Sequence, residues 1–158
     1  MSEIGVPTLL KMLLAYFIVR PDMLLHEGLF RKNASIELLE ELENECRCKN
    51  YEFIGQLKDP HVVCSKLYLN AGLVKKMFYH SKYPLFSYDC YERIVKEKQP
   101  EGLEFLETIV SQLPVLNHRI FQFLVEFLKY KVAAKEQHNK MNCYSLAVVF
   151  APCLFRPK

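Results

Sequence analysis

Hydrophobic residues recur at every third or fourth position along most of this chain of 158 residues, a spacing that predicts amphipathic helices. The first predicted helix covers residues 6–20, and Pro21 with Asp22 ends it. Its buried face is expected to contain Leu10, Leu13, Leu14 and Phe17. The widest apolar face belongs to a helix that begins at Pro114 and ends in the polar stretch 134–140. The members of that face are Ile120, Phe123, Leu124, Phe127 and Leu128.

Capping residues and prolines predict where the other helices of the first half begin. Ser35 caps the second helix, and Asp59 followed by Pro60 opens a third, which is compatible with the sequence over residues 61–82. Residues 49–58, which include a glycine, are expected to form a loop.

The second half predicts three further helices. They are a short one at residues 87–96, one that begins at Pro100, and a very apolar, buried one at residues 141–150 that Pro152 ends. The helix after Pro100 is expected to turn four residues inward, namely Leu103, Leu106, Ile109 and Val110. Strand alternation is confined to residues 147–150, whose flanks favour a buried helix. The prediction is therefore one all-α domain over residues 1–158, with about seven to nine helices.

Composition excludes several classes of protein. Hydrophobic residues make up 51% of the chain, enough for a core, yet no apolar run reaches the length of about 18 that a membrane span needs. The net charge of +3 comes without a long basic run, so a nucleic-acid partner is not expected. Most of the six cysteines lie in helical patterns, which is typical of reduced thiols in a cytoplasmic protein.

The signatures of independent enzyme chemistry are missing. The chain has no glycine-rich phosphate loop and no nucleophile elbow. Cys46 and Cys48 are close together, but no second Cys or His pair follows at zinc-finger spacing. No metal, nucleotide or other cofactor held by this chain is therefore expected.

One stretch between two predicted helices suggests chemistry directed at a partner. It reads Glu-Gly-Leu-Phe-Arg and ends at Arg31. We expect Phe30 to be held in the core, with the guanidinium of Arg31 facing out of the loop. A guanidinium offers a planar fork of donors that fits phosphoryl oxygens. The competing interpretation is an ordinary solvated surface charge.

Four stretches in order, this one included, resemble the RhoGAP domain, the all-α module that accelerates GTP hydrolysis by Rho-family small GTPases. The other three are residues 71–75 with 84–86, residues 113–117, and residues 139–141 with 146–152. The resemblance implies that Arg31 is a catalytic arginine finger, with Gly28 and Phe30 as support of its loop. It also implies a set of GTPase-binding residues: Lys32, Lys75, Tyr79, Asn139 and Ser145.

The implied partner is a Rho, Rac or Cdc42-like GTPase in its GTP-bound or transition-state form. The domain would act on GTP and Mg held by that partner, whose own glutamine orients the attacking water, and would need no cofactor. A basic groove formed by Arg31, Lys32, Lys75 and Lys76 would make this binding sensitive to salt.

The sequence departs from the family pattern in places that bear on activity. Tyr79 stands where the family usually has an arginine that braces the finger, and Ser145 where it usually has an asparagine. The chain also stops soon after Pro152, and Lys66 offers an alternative register for Lys75. Three interpretations remain: an active, weak or selective activator; a catalytically weak or inactive GTPase-binding scaffold; or a helical interaction domain in which Arg31 is structural.

Overall fold

The computed structural model describes residues 6–65, 85–96 and 103–155. Every regular element within these ranges is helical, and none of these residues lies in a β-strand. The predicted all-α class is confirmed. Of the helix predicted over residues 61–82, the part up to residue 65 is helical and the remainder lies outside the described residues.

Within residues 6–65, the structure has four helices and one 3₁₀ turn. They are α1 (Thr8–Val19), the 3₁₀ turn (Pro21–Leu25), α2 (Ile36–Arg47), α3 (Glu52–Gln56) and α4 (residues 60–65). Two predicted caps are confirmed. The Ser35 hydroxyl accepts from the Leu38 N–H at 3.5 Å, and the Asp59 carboxylate accepts from the His61 N–H at 2.8 Å.

The described residues of the second half are mainly helical, with an irregular stretch between α7 and α8. Its elements are α5 (Tyr88–Lys96), α6 (Leu103–Ser111), α7 (Val115–Phe127), a π turn (Leu128–Val132), a second 3₁₀ turn (Ala133–Lys135), α8 (Glu136–Asn139) and α9 (Cys143–Leu154). The chain passes from α7 to α8 without a loop, and Lys140 then reverses it with a left-handed backbone, φ 59°.

The core forms where the apolar faces of α1 and α7 meet. In α1 the buried residues include Leu10, Leu13, Leu14 and Phe17. The rings of Phe17 and Phe127 lie 5.8 Å apart between centroids, which joins the two helices. Both apolar faces were predicted from helical spacing, and burial confirms them.

A side-chain hydrogen bond from α7 fixes the chain at Leu85. The Asn117 amide, in the first turn of α7, donates to the Leu85 carbonyl at 2.9 Å. Phe86 is buried and packs edge-on against Phe121 at 5.0 Å and stacked on Phe155 at 4.2 Å. Residues 113–117 thus serve partly to hold the chain at Leu85.

Helix α3 replaces the loop that was predicted for residues 49–58. Arg20, one residue past α1, donates from its guanidinium to the carbonyls of Gly55 and Leu57, at the carboxyl end of α3. Ile54 is buried beneath. Tertiary contacts therefore stabilise a short helix that its own propensity, with Gly55 inside it, does not favour.

Two further expectations are corrected in the second half. Leu103 and Leu106 are exposed, because α6 turns Phe105 toward the core beside Ile109 and Val110, whose inward orientation was predicted correctly. Pro152 does not end the last helix, which continues to Leu154. The Val148 carbonyl, four residues earlier, loses its donor to the proline ring. Val148 itself is on the exposed side of α9, so this helix is buried on one side only.

Candidate functional site

The loop between the first 3₁₀ turn and α2 is a tight turn centred on Gly28. The N–H groups of Arg31 and Lys32 donate to the Gly28 carbonyl at 3.0 and 2.9 Å. Leu29 and Phe30 are buried, whereas Arg31 and Lys32 are exposed. The predicted orientation, Phe30 inward and Arg31 outward, is confirmed. We call residues 27–32 the finger loop.

Gly28 suits this turn for two reasons, its backbone conformation and the lack of space for a side chain. Its φ of 76° is in the left-handed region, which L side chains rarely adopt. A Cβ atom there would lie 2.9 Å from Cγ of Lys32. Its N–H donates to the Asn139 carbonyl at 2.8 Å, which attaches the start of the finger loop to the end of α8.

Phe30 also has a left-handed backbone, with φ 67°. This is uncommon for a bulky residue and persists only where surrounding contacts impose it. Its ring meets that of Phe150 in α9 edge-on, 5.2 Å between centroids. Its backbone N–H lies beside the thiol of Cys64 in α4 and interacts with it. Contacts from two other helices therefore fix the residue that precedes Arg31.

Cys64 supports the loop from α4 as a neutral thiol. It is fully buried, and burial raises the pKa of its thiol, against which the Phe30 N–H acts only weakly. A thiol so protected stays protonated and unreactive at neutral pH. Its part in the site is to fill the core beside the Phe30 backbone.

The two basic side chains of the finger loop differ in their surroundings. No hydrogen bond or ion pair joins the Arg31 guanidinium to any residue that the structure describes. Lys32 pairs with Glu27 at 3.5 Å, and both side chains are about half exposed. An exposed pair of this kind contributes little stability. Arg31 is therefore the cation presented most freely by the described part of the loop.

The structure corrects the role implied for Asn139. This residue is fully buried, and its side chain makes three hydrogen bonds inside the domain. Its polar atoms cannot reach a partner protein in this arrangement. Asn139 instead lies beneath the finger loop, in contact with Gly28.

Ser145 lies in α9, the helix whose Phe150 ring contacts the finger loop. It is in the first turn of α9, half-buried, and its N–H donates to the capping side chain of Asn142 at 2.8 Å. Phe150, which contacts Phe30, is five residues further along α9, a rise of about 7.5 Å. The structure thus brings Gly28, Phe30, Arg31 and Asn139 together, and it connects Ser145 to them only through α9. Lys75, Tyr79, Lys76 and the alternative Lys66 lie outside the described residues.

Two histidines lie beside the finger loop. The rings of His26 and His61 are edge-on, 6.4 Å apart, and His61 Nδ1 is buried without a hydrogen-bond partner among the described residues. Burial lowers the pKa of His61 from its ordinary value of 6.5, and Lys32 and His26 lower it further, while Asp59 opposes them. The ring is therefore neutral at pH 7.

This shift predicts a loss of stability in acid. Because the folded state binds the His61 proton more weakly than the unfolded state does, protonation favours unfolding as the pH falls below about 6.5. The variant His61→Phe should lose less stability than wild type between about pH 7.5 and about pH 5, as measured by urea unfolding. His138→Gln, an exposed control on α8, should keep the wild-type dependence. Equal slopes for wild type and His61→Phe would contradict the assignment.

Sequence reasoning missed the parts played by Cys64 and Arg20, since neither follows from spacing along the chain. Both depend on which helices meet. Within the described ranges, no group of three His, Cys, Asp or Glu side chains is placed to hold a metal ion. Nor does any helix in those ranges have the length and apolar character to cross a membrane.

Comparison with known proteins is consistent with this fold. The family model described as "RhoGAP domain" matches residues 7–158. Human Rho GTPase-activating protein 24 is 33% identical over 142 residues, which cover 89% of this chain and 18% of that protein. The chain thus spans about a fifth of the length of this curated relative.

Two solved structures share the fold. The crystal structure of human Rho GTPase activating protein 15 matches with a TM-score of 0.71 and 24% identity, over 96% of this chain and 70% of the other. The BH domain from GRAF, the GTPase regulator associated with focal adhesion kinase, matches with a TM-score of 0.72 and 21% identity, over 99% and 82% of the two chains. The family match over nearly the whole sequence, together with this fold, shows that the chain belongs to the RhoGAP domain family.

Proposed function

We propose that this domain stimulates GTP hydrolysis by a Rho-family small GTPase in the cytoplasm, and that Arg31 is its arginine finger. Membership of the RhoGAP domain family supports the class of activity. The relatives named as Rho GTPase-activating proteins support the class of partner. The domain acts on GTP and Mg that belong to the GTPase and binds no cofactor of its own.

The proposed mechanism is electrostatic. Transfer of the γ-phosphoryl group to water spreads negative charge over the phosphoryl oxygens and the leaving oxygen. Arg31 inserts into the GTPase and neutralises that charge with its guanidinium, whose planar donors suit two oxygens at once. Positioning is most of what the domain contributes, so the loop must hold the arginine in one place before the partner arrives.

The observation that supports this proposal best is the backbone of Phe30. A buried aromatic residue with a left-handed φ of 67° is strained, and the ring of Phe150 and the thiol of Cys64 impose that conformation. Strain of this kind directs the next residue, Arg31, away from the core. An ordinary solvated arginine needs no such preparation.

A second candidate function is a GTPase-binding module with little catalysis. It is favoured by Ser145, whose side chain is shorter than the asparagine usual in the family and has one hydroxyl in place of an amide. Tyr79, in place of the bracing arginine, points the same way from the sequence. Under this proposal the domain would bind the GTP form and leave its hydrolysis rate unchanged.

Single-turnover hydrolysis by a panel of Rho, Rac and Cdc42-like GTPases, at saturating domain concentration, separates the candidates. Acceleration of any member supports the activator, and Arg31→Ala must remove it. Binding of the GTP-analogue form without acceleration selects the binding module. If the domain neither binds nor accelerates any GTPase of the panel, Arg31 is a structural or surface residue.

The variant Ser145→Asn tests whether α9 contacts the GTPase. If it does, restoring the amide should add a hydrogen bond worth about 0.5–1.5 kcal/mol, an increase in kcat/KM of about two- to tenfold. The matched control is Tyr144→Phe, one residue earlier and more exposed, which should leave kcat/KM unchanged. An unchanged or lower value for Ser145→Asn would remove this part of α9 from the proposed interface.

A further inference from the structure

We infer that Asn139 is the positioning residue of the finger loop: it holds both ends of the segment that leads to Arg31. This inference rests on the proposed function, because it assigns the way in which the same site keeps its arginine in place. Asn139 touches neither GTPase nor nucleotide and acts only through the loop.

Asn139 makes four hydrogen bonds, two of them to the chain that forms the loop. Its carbonyl accepts from the Gly28 N–H at 2.8 Å, and its amide donates to the Leu24 carbonyl at 3.0 Å. Leu24 and Gly28 enclose three exposed residues, Leu25, His26 and Glu27. With both ends of this short exposed segment attached to one buried residue, the start of the finger loop cannot shift without breaking a bond to Asn139.

The other two bonds attach Asn139 to its own neighbourhood in the chain, on either side of α8. Its amide also donates to the Val132 carbonyl at 2.8 Å, at the end of the π turn, and its side-chain oxygen accepts from the Met141 N–H at 2.9 Å. Met141 is fully buried just before α9. The residue therefore joins the finger loop to the helix that bears both Ser145 and the Phe150 ring.

The chemistry of the site requires a carboxamide at this length. Both donors of the amide nitrogen and the acceptor oxygen are used, each on a backbone group. An aspartate would place a carboxylate against two carbonyl oxygens, and a glutamine would be one methylene too long. Because the site is buried, each lost bond leaves a backbone group unsatisfied.

The contacts distinguish positioning from general stability. Phe30 is fixed at the far end of the loop by Phe150 and Cys64, so the loop remains attached when Asn139 is changed. What is lost is the fixed position of residues 24–28, which lead into the loop. A displacement of about 1 Å in a catalytic group can cost about 100-fold in rate.

The test uses Asn139→Ala, the milder Asn139→Ser, and a control of similar destabilising effect, Ile109→Ala, which is buried in α6. With a GTPase that wild type activates, Asn139→Ala should lower kcat about ten- to 100-fold while KM changes less than about threefold. Asn139→Ser, which keeps a short donor and acceptor, should fall between. Ile109→Ala, assayed below its melting temperature, should keep the wild-type kcat. A wild-type kcat for Asn139→Ala, or a loss that appears only in KM, would overturn the inference.

Amide hydrogen exchange supplies a readout that does not depend on GTPase activation. Exchange across residues 24–32 should rise in both Asn139 variants, folded as judged by circular dichroism, and should stay at the wild-type level in Ile109→Ala. Unchanged exchange in the Asn139 variants would overturn the positioning role by itself. If wild type activates no GTPase, the proposed function fails, and the exchange result still decides whether Asn139 holds the loop.

Discussion

Replacing Arg31 with alanine should abolish nearly all acceleration of GTP hydrolysis. An arginine finger supplied in trans is worth about 10³–10⁵ in rate, or about 4–7 kcal/mol of activation free energy. The truncated side chain leaves the developing phosphoryl charge without its neutralising cation. The folding stability should change little, because the guanidinium is exposed and makes no bond to any described residue. Single-turnover hydrolysis at saturating domain, with a thermal melt in parallel, measures both.

Two matched variants make this result specific to the guanidinium. Arg31→Lys keeps the charge but loses the planar fork, and should retain only a small part of the acceleration. Lys32→Ala removes the neighbouring exposed cation, which already pairs with Glu27, and should cost only a few-fold through weaker binding. If Arg31→Ala kept more than about a tenth of the wild-type acceleration, a finger at this position would be wrong.

Replacing Phe30 with alanine should produce the largest loss of stability among changes in the loop. The residue is only 6% exposed, and its ring meets that of Phe150 edge-on. Deleting a buried phenylalanine ring costs about 3–5 kcal/mol in unfolding free energy. The backbone strain remains, because a left-handed φ is as unfavourable for alanine as for phenylalanine. Urea unfolding monitored by circular dichroism should show a lower midpoint with an unchanged slope.

Controls for this prediction separate the lost packing from the loss of an aromatic residue as such. Tyr130→Ala removes an aromatic ring that is 62% exposed and should change the unfolding free energy by less than about 0.5 kcal/mol. Phe30→Leu keeps most of the buried volume and should cost about 1.5 kcal/mol or less. A loss below about 1 kcal/mol for Phe30→Ala would mean that the ring does not anchor the loop.

Local patterns were sufficient where one helix face or one cap decides the structure. The buried faces of α1 and α7 follow from spacing alone, and Ser35 and Asp59 follow from the hydrogen bonds that short polar side chains offer to a helix start. The orientation of Phe30 and Arg31 was also predictable, because an apolar residue and a cation in adjacent positions must face opposite environments. The catalytic role of Arg31 stays a proposal.

Tertiary contacts decided the features that were not predicted. Helix α3 depends on the Arg20 guanidinium, which caps it from more than thirty residues away. The burial of Asn139 depends on Leu24, 115 residues distant in the chain. Helix α6 has more apolar residues than the core can cover, so spacing alone could not select the buried side. In α9, Pro152 lies where the loss of one backbone hydrogen bond is tolerated. Local propensity therefore predicted the end of this helix wrongly.

The number of residues between α7 and Asn139, which includes the π turn at Leu128–Val132, is itself a requirement of the site. A π turn accommodates about one residue more than an α turn. Within the regular part of α7, where no such turn absorbs the change, removing a single residue would rotate everything downstream by about 100°. Asn139 would then face away from Leu24 and Gly28, although its identity and those of its partners were untouched. Among homologous sequences, the spacing between the apolar face of α7 and this asparagine should therefore vary less than the amino acids that fill it.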